Sequence, residues 1–142
     1  MFNNYIDKKI MTEDEVEALK LQIDKIENIK LDTNLDYIET FKISDALIAD
    51  FSGLIAEFFV TGKPIIYCGD AQSFISGIGK AMYETFYISK TSQQLLENIN
   101  NLAGGLADDS TKRRIKIIND MFKGKTTCAN RIVNTIVNEL SL

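Results

Sequence analysis

Histidine and tryptophan are missing from this chain, proline occurs once and cysteine twice. Each shortage removes a class of function. Without histidine there is no imidazole to act as a general base near neutral pH, and the commonest zinc ligand is gone. Histidine-based acid–base chemistry and most zinc sites are therefore excluded within these 142 residues. Cys68 and Cys128 lie far apart, which fits reduced thiols in a cytosolic chain better than a disulfide scaffold. An excess of positive charge is lacking too. The net charge is −4, so no basic field favours nucleic acid, and the lysines are interspersed with acids rather than gathered into a polybasic membrane patch. Long apolar runs are absent: residues 54–60, among the longest, fall far short of a bilayer span, and residues 1–10 lack the apolar core of a signal peptide.

What is present describes an ordinary globular domain. Apolar residues make up 45% and charged residues 25%, and the length suits one domain over residues 1–142 with a core that needs no staples. Thr12 and Glu15 form a T-x-x-E capping box with Met11 and Val16 as a hydrophobic staple. Val16, Leu19, Ile23 and Ile26 follow at helical spacing, with Asn28 as the stop. Residues 29–31 form a short strand candidate. Residues 35–43 read as a helix with Leu35, Tyr37, Ile38 and Phe41 inward, and 46–49 as a buried strand. Residues 52–61 read as a helix, apolar almost all round, closed by Gly62. Residues 64–67 form a second buried strand whose proline stands first, where no ladder donor is lost. Residues 68–82 read as a long loop and 85–88 as a third strand candidate. Thr91 and Gln94 open a helix burying Leu95, Ile99 and Leu102, which stops at Gly104 and Gly105. Asp108 or Asp109 caps a basic helix with Ile115, Ile118 and Phe122 inward, ended by Gly124. A last helix starts at Thr126 or Thr127 and turns Ile132, Val133, Ile136 and Leu140 inward. Continuous apolar strands alternating with helices predict an α/β fold: a three-layer, Rossmann-like parallel sheet, with the extra C-terminal helices packed against one side.

In such a sheet, ligands bind beyond the carboxyl ends of the strands. The first exit, Asp50-Phe51-Ser52-Gly53, joins strand to helix with almost no linker. The amides of Ser52, Gly53 and Leu54 are expected to point outward at the positive end of a helix dipole, where they can bind a phosphate. Alternatively, Asp50 or Ser52 is simply the N-cap. Glu57, four residues on, either accepts from ribose hydroxyls or faces water. The second exit, Tyr67-Cys68-Gly69-Asp70, leads into the glycine-bearing loop, from which Lys80 can meet a phosphate; a plain surface loop is the alternative. Lys112, Arg113, Arg114 and Lys116 form a basic cluster, which reads as a solvated helix face or as a contact for acidic lipid or an anionic polymer.

The stretch Ser44-Asp45-Ala46-Leu47-Ile48-Ala49-Asp50-Phe51-Ser52-Gly53 resembles the "sDaLItDySS" signature of the CDP-glycerol glycerophosphotransferases, which polymerise teichoic-acid-type chains. The run from Glu57 through Lys63-Pro64-Ile65-Ile66-Tyr67 continues the likeness. Ile29-Lys30-Leu31-Asp32 with Asp36-Tyr37 upstream, and Gly124-Lys125 with Arg131-Ile132-Val133 near the end, are similar to flanking parts of that family. The resemblance implies the C-terminal, donor-nucleotide half of a GT-B enzyme. In it Asp50, Ser52 and Gly53 lie at the diphosphate of a CDP-linked polyol donor, and Glu57 lies near its ribose. Gly53 stands where the family usually has a second serine, which removes a hydroxyl but keeps an amide.

The resemblance also places the family's catalytic histidines in an upstream "HP" motif and in an N-terminal half. The chain is accordingly expected to be a fragment of a two-domain enzyme, inactive alone, with no catalytic residue, metal or cofactor of its own. It is expected to be cytoplasmic, with peripheral contact to the inner membrane face through the full-length protein. Two other readings stand beside this one: half of a UDP-sugar glycosyltransferase or epimerase, sharing the same phosphate site, and a non-catalytic interaction domain. A receiver-like domain phosphorylated on Asp50 needs an acidic pair that Asp32 alone does not supply.

Overall fold

The computed structural model describes residues 6–34, 36–50, 52–70, 74 and 77–123. The chain divides into two compact units, Met1–Tyr37 and Ile38–Leu142.

In the first unit, helix α1 spans Glu13–Ile23 and opens on the expected reciprocal cap: the Glu15 amide donates to Thr12 Oγ1 at 3.3 Å and the Thr12 amide to Glu15 Oε2 at 2.8 Å. The bond from the Thr12 backbone, and secondly that from its hydroxyl, hold the Glu15 carboxyl below the usual glutamate range. Val16 is buried, Leu19 and Ile23 are half-buried, and Ile26 lies exposed beyond a helix that ends before Asn28. Residues 29–31 are not a strand: they have no regular structure, and Ile29 and Leu31 are exposed. An apolar run this short, interrupted by Lys30, forms a strand only where a neighbour supplies a ladder.

The second unit carries a parallel sheet of order β1-β2-β3, with β1 at Leu47–Ala49, β2 at Ile65–Tyr67 and β3 at Tyr87–Ile88. Leu47 pairs with Ile65 and Ala49 with Tyr67, while Ile66 pairs with Tyr87. Pro64 has no N–H, but its carbonyl accepts from Leu47 N at 3.1 Å, so it seeds the β1–β2 ladder from its acceptor side. The helices are α2 (Ile38–Ile43), α3 (Leu54–Phe59), α4 (Gly77–Tyr83), α5 (Ser92–Ala103) and α6 (Thr111–Met121). The structure is thus α/β, with helices on both faces of a parallel sheet in the manner of a Rossmann-like half-domain.

Side-chain alternation assigns the two faces. Ile65 and Tyr67 point with Ile55, Phe58, Phe59, Met82 and Phe86 into the core, against which Ile117, Ile118 and Met121 of α6 also pack. Tyr67 is fully buried, and its ring meets Phe74, Tyr83 and Phe86 with centroids 5.2–6.0 Å apart. That cluster corrects the expected long loop over 68–82. Phe74 and Tyr83 stack at 5.5 Å, and anchoring these rings folds 77–83 into α4, with Gly77 starting it at φ 58°. On the opposite face, Ile66 and the half-exposed Ile48 form with Ile99 and Leu102 of α5 an open groove of about 540 Å³. Since α5 and α6 take opposite faces, the expectation that the trailing helices share one side is also corrected.

Several boundaries fall as expected. Gly62 ends the α3 segment at φ 73° and Gly105 follows α5 at φ 77°, where a β-carbon is disfavoured. Thr91 Oγ1 accepts from the Gln94 amide at 3.2 Å, and Gln94 Oε1 accepts from the Lys90 amide at 2.7 Å. Other expectations fail. Ile38 is exposed although Phe41 meets Phe58 edge-on at 5.1 Å, and β1 is only partly buried. Lys63 supplies a reason for the turn between α2 and β1. Its ammonium donates to the carbonyls of Phe41, Lys42 and Ser44 at 2.6–2.9 Å, closing the C-terminal end of α2, where cations are favoured.

The largest departure lies in α6. Ile115 and Phe122 are exposed, and the buried face is rotated onto Arg114, which is 0% exposed. The Arg114 Nε donates to the Gly62 carbonyl at 3.0 Å and Nη1 to the Thr85 carbonyl at 3.2 Å, and the guanidinium pairs with Asp108. Tyr87 donates to the other Asp108 oxygen at 2.7 Å. The basic cluster is therefore split: Arg113 pairs with Glu84 at the surface, Lys112 and Lys116 are exposed, and Arg114 is an interior strut. Burial, opposed in part by the Tyr87 phenol, lowers the Arg114 pKa, and burial above all raises that of Tyr87 from 10.0. Above pH 10 the unfolded phenol ionises first, so the folded chain holds more protons and stability falls as pH rises through the higher folded value. In alkaline denaturation, Tyr87→Phe should flatten that decline; an unchanged slope assigns it to other groups. The expected last helix, its residues 132–140 and Cys128 lie outside the described residues.

Candidate functional site

A parallel sheet brings its strand exits to one edge, and here three of them converge. β1 ends at Ala49, whose carbonyl accepts from the Cys68 amide at 2.8 Å, and the Tyr67 carbonyl accepts from the Ser89 amide at 2.9 Å. Asp50, Gly69 and Lys90 thus follow one another across the carboxyl edge. Gly69 is the meeting point. A β-carbon placed on it would lie 2.2 Å from the Asp50 carbonyl oxygen and 2.5 Å from the Tyr67 hydroxyl. That hydroxyl is turned back to donate to the Asp70 carbonyl at 3.1 Å. From the third exit, the Lys90 ammonium donates to the Gly69 carbonyl.

The residues singled out for phosphate binding sit at the first exit. Asp50 is exposed just after β1, and Glu57 is exposed on α3, as its solvent-facing alternative requires. Ser52 Oγ accepts from the Leu54 amide at 3.1 Å, and the Ser52 carbonyl accepts from the Ile55 amide at 3.2 Å. The expectation of three outward amides is corrected by this bond: Leu54 N–H is already partnered, because a serine hydroxyl two residues earlier reaches it as a cap. The Ser52 and Gly53 amides have no acceptor among the described residues, and the Ser52 hydroxyl keeps its own proton to donate. Around Gly53 there is open space: a β-carbon would meet nothing within 4 Å. α3 has only six residues, so it sums few peptide dipoles and contributes little field beyond its first amides.

The second exit differs from its sequence reading. Cys68 is a free, half-buried thiol whose amide completes the β1–β2 ladder. Lys80 is exposed on α4, and no described side-chain hydrogen bond ties it to the strand exits. No motif in the sequence marks Lys90. The available signal was its place directly between a strand and a capping box, the same strand-to-helix position that drew attention to Ser52. The groove beside α5 is lined toward Asp45 and Pro64, at the amino edge of the sheet, so it is separate from these exits. Among the described residues no group of three or more histidine, cysteine, aspartate or glutamate side chains could hold a metal ion, and no helix is long and apolar enough to cross a membrane.

No curated protein and no solved structure matches the chain. A sequence model of one family, described as CDP-glycerol:poly(glycerophosphate) glycerophosphotransferase, matches residues 15–138. That span takes in the parallel sheet, its three converging exits and the helices on both of its faces, and the chain belongs to the CDP-glycerol:poly(glycerophosphate) glycerophosphotransferase family.

Proposed function

We propose that this chain is the donor-nucleotide half of a glycerophosphotransferase, holding a CDP-linked polyol phosphate across the carboxyl edge of its sheet. The observation that carries the reading is the family match spanning Asp50, Ser52 and Gly53 at a strand exit with open space above Gly53. The diphosphate lies over the Ser52 and Gly53 amides and the Ser52 hydroxyl, and Glu57 reaches the ribose from the solvent side of α3. In the reaction, an acceptor hydroxyl attacks the phosphorus bearing the polyol. A new phosphodiester bond forms, the bond to the CMP phosphate oxygen breaks, and CMP departs while the hydroxyl proton passes to a base. This chain has no histidine to take that proton, so its part is positioning and charge stabilisation. The product is a polyol-phosphate polymer of the teichoic-acid type, and the growing acceptor brings the complete enzyme to the inner membrane face.

Titration with CDP tests the reading through backbone amide shifts. Ser52 and Gly53 are expected to respond while the Leu54 amide, already bonded, moves less. Shifts elsewhere with none at 52 and 53 would falsify the placement. Gly53→Asp fits the open space without strain, yet it sets a carboxylate against the diphosphate. It is expected to weaken CDP binding by about tenfold or more while leaving the thermal midpoint unchanged. Equal affinity removes Gly53 from the site.

A further inference from the structure

We infer that Lys90 is a phosphate-binding residue of the donor site: its ammonium, seated between the second and third strand exits, neutralises the diphosphate held over Ser52 and Gly53. The inference rests on the donor reading given above and adds a residue to it.

A doubly or triply charged diphosphate must be held at this carboxyl edge, where the strand exits converge. Two amides and one hydroxyl at the first exit carry no net charge, and the six-residue α3 adds little field. A nearby cation would add the charge neutralisation that these neutral donors cannot supply. Lys80 on α4 has no described side-chain hydrogen bond to the strand exits, Arg114 is buried against Asp108, and Lys63 is committed to three carbonyls at the end of α2. Lys90 differs from all three. Its side chain lies along the carboxyl edge because the Gly69 carbonyl accepts from its ammonium. A lysine ammonium has three donors. One is used at Gly69, and the others meet no acceptor among the described residues.

Two features fix the backbone from which that side chain extends. The Lys90 amide donates to Gln94 Oε1 at 2.7 Å, which fixes the backbone at the start of α5. Asn98 Nδ2 donates to the Ile88 carbonyl and the Ser89 hydroxyl at 3.3 and 3.0 Å, which ties the third exit to the same helix. At the α5 terminus the Gln94 amide is already capped by Thr91. The cation of the third exit is thus held over the glycine of the second, on the route from Gly53 across the sheet.

The test compares CDP with cytidine, which shares the base and ribose but has no phosphate, by calorimetry on the full chain and on Lys90→Gln and Lys90→Arg. The wild-type chain is expected to prefer CDP. Lys90→Gln should lower CDP affinity about tenfold and cytidine affinity less than twofold, while Lys90→Arg keeps most of the preference. The salt dependence of CDP binding should also flatten in Lys90→Gln. If Lys90→Gln retains the full preference for CDP, Lys90 is not a phosphate ligand although the donor reading survives. If CDP and cytidine weaken equally, Lys90 is structural and the inference is overturned. If the wild-type chain binds neither molecule at millimolar concentration, the donor reading falls and takes this inference with it.

Discussion

Arg114→Met is expected to destabilise the fold by about 3–5 kcal/mol, the cost of removing one partner of a buried ion pair. Methionine fills much of the volume but supplies no donors. The Gly62 and Thr85 carbonyls then lose their bonds at 3.0 and 3.2 Å, and Asp108, with 17% of its side chain exposed, loses its counter-charge. Against a whole-domain stability of about 5–15 kcal/mol, such a loss brings the chain close to unfolding at room temperature. Urea denaturation should show a lower midpoint at an unchanged slope. Arg114→Lys separates geometry from charge. It keeps the positive charge, but a single ammonium cannot reproduce the planar fork that meets acceptors from three segments. It should recover less than half of the loss. Should Arg114→Met shift stability by less than about 1 kcal/mol, the guanidinium would be a passenger in the core.

Gly69→Ala is the second large effect, expected at about 1–3 kcal/mol from overpacking. The new methyl would need the space occupied by the Asp50 carbonyl oxygen at 2.2 Å and the Tyr67 ring and hydroxyl at 2.5–2.7 Å. Neither can yield cheaply. The first is backbone at the end of β1, and the second belongs to a fully buried side chain packed on Phe74, Tyr83 and Phe86. Gly69 does not occupy the left-handed region, so the objection is contact and not conformation. Relief requires the first two strand exits to move apart, so CDP affinity should fall together with stability. Gly53→Ala is the matched control: its β-carbon meets nothing within 4 Å, and its stability should stay within about 0.5 kcal/mol of wild type. If both alanine variants melt alike, the convergence at Gly69 is not what holds the edge together.

The elements legible in the sequence were those fixed by neighbours a few residues away. The Thr12–Glu15 box, the Thr91 cap and the glycines at 62 and 105 announce themselves because their chemistry closes within one helical turn. The apolar runs around Leu47 and Ile65 gave the strands, and their alternation with helices gave the parallel sheet. Misreadings fell where a distant partner decides. Periodicity treats arginine as a solvent residue, so it placed Ile115 and Phe122 inward. The actual inner face of α6 is set by two carbonyls and a carboxylate delivered from other parts of the chain. Residues 77–83 read as loop because Gly77 and Gly79 mask a helix held by aromatic contacts to Tyr67. At the candidate site, Asp50, Ser52 and Gly53 were found through the strand-to-helix junction, but the bond from Leu54 N to Ser52 Oγ depends on local torsions that residue types do not specify. Lys90 became visible only through the register that sets it beside Gly69.

The seat of Arg114 also bears on the order in which the chain acquires its shape. Its two carbonyl acceptors lie 52 and 29 residues earlier, so the guanidinium reaches both only after the segments leading into β2 and β3 stand side by side. Closing such long loops carries an entropic cost before any contact repays it, which places this docking among the late steps of folding. A bond made late is absent from the transition state. Weakening it leaves the rate of folding almost untouched and quickens unfolding. The lifetime of the folded chain is then expected to shorten when this latch, on the side of the sheet opposite the strand exits, is weakened.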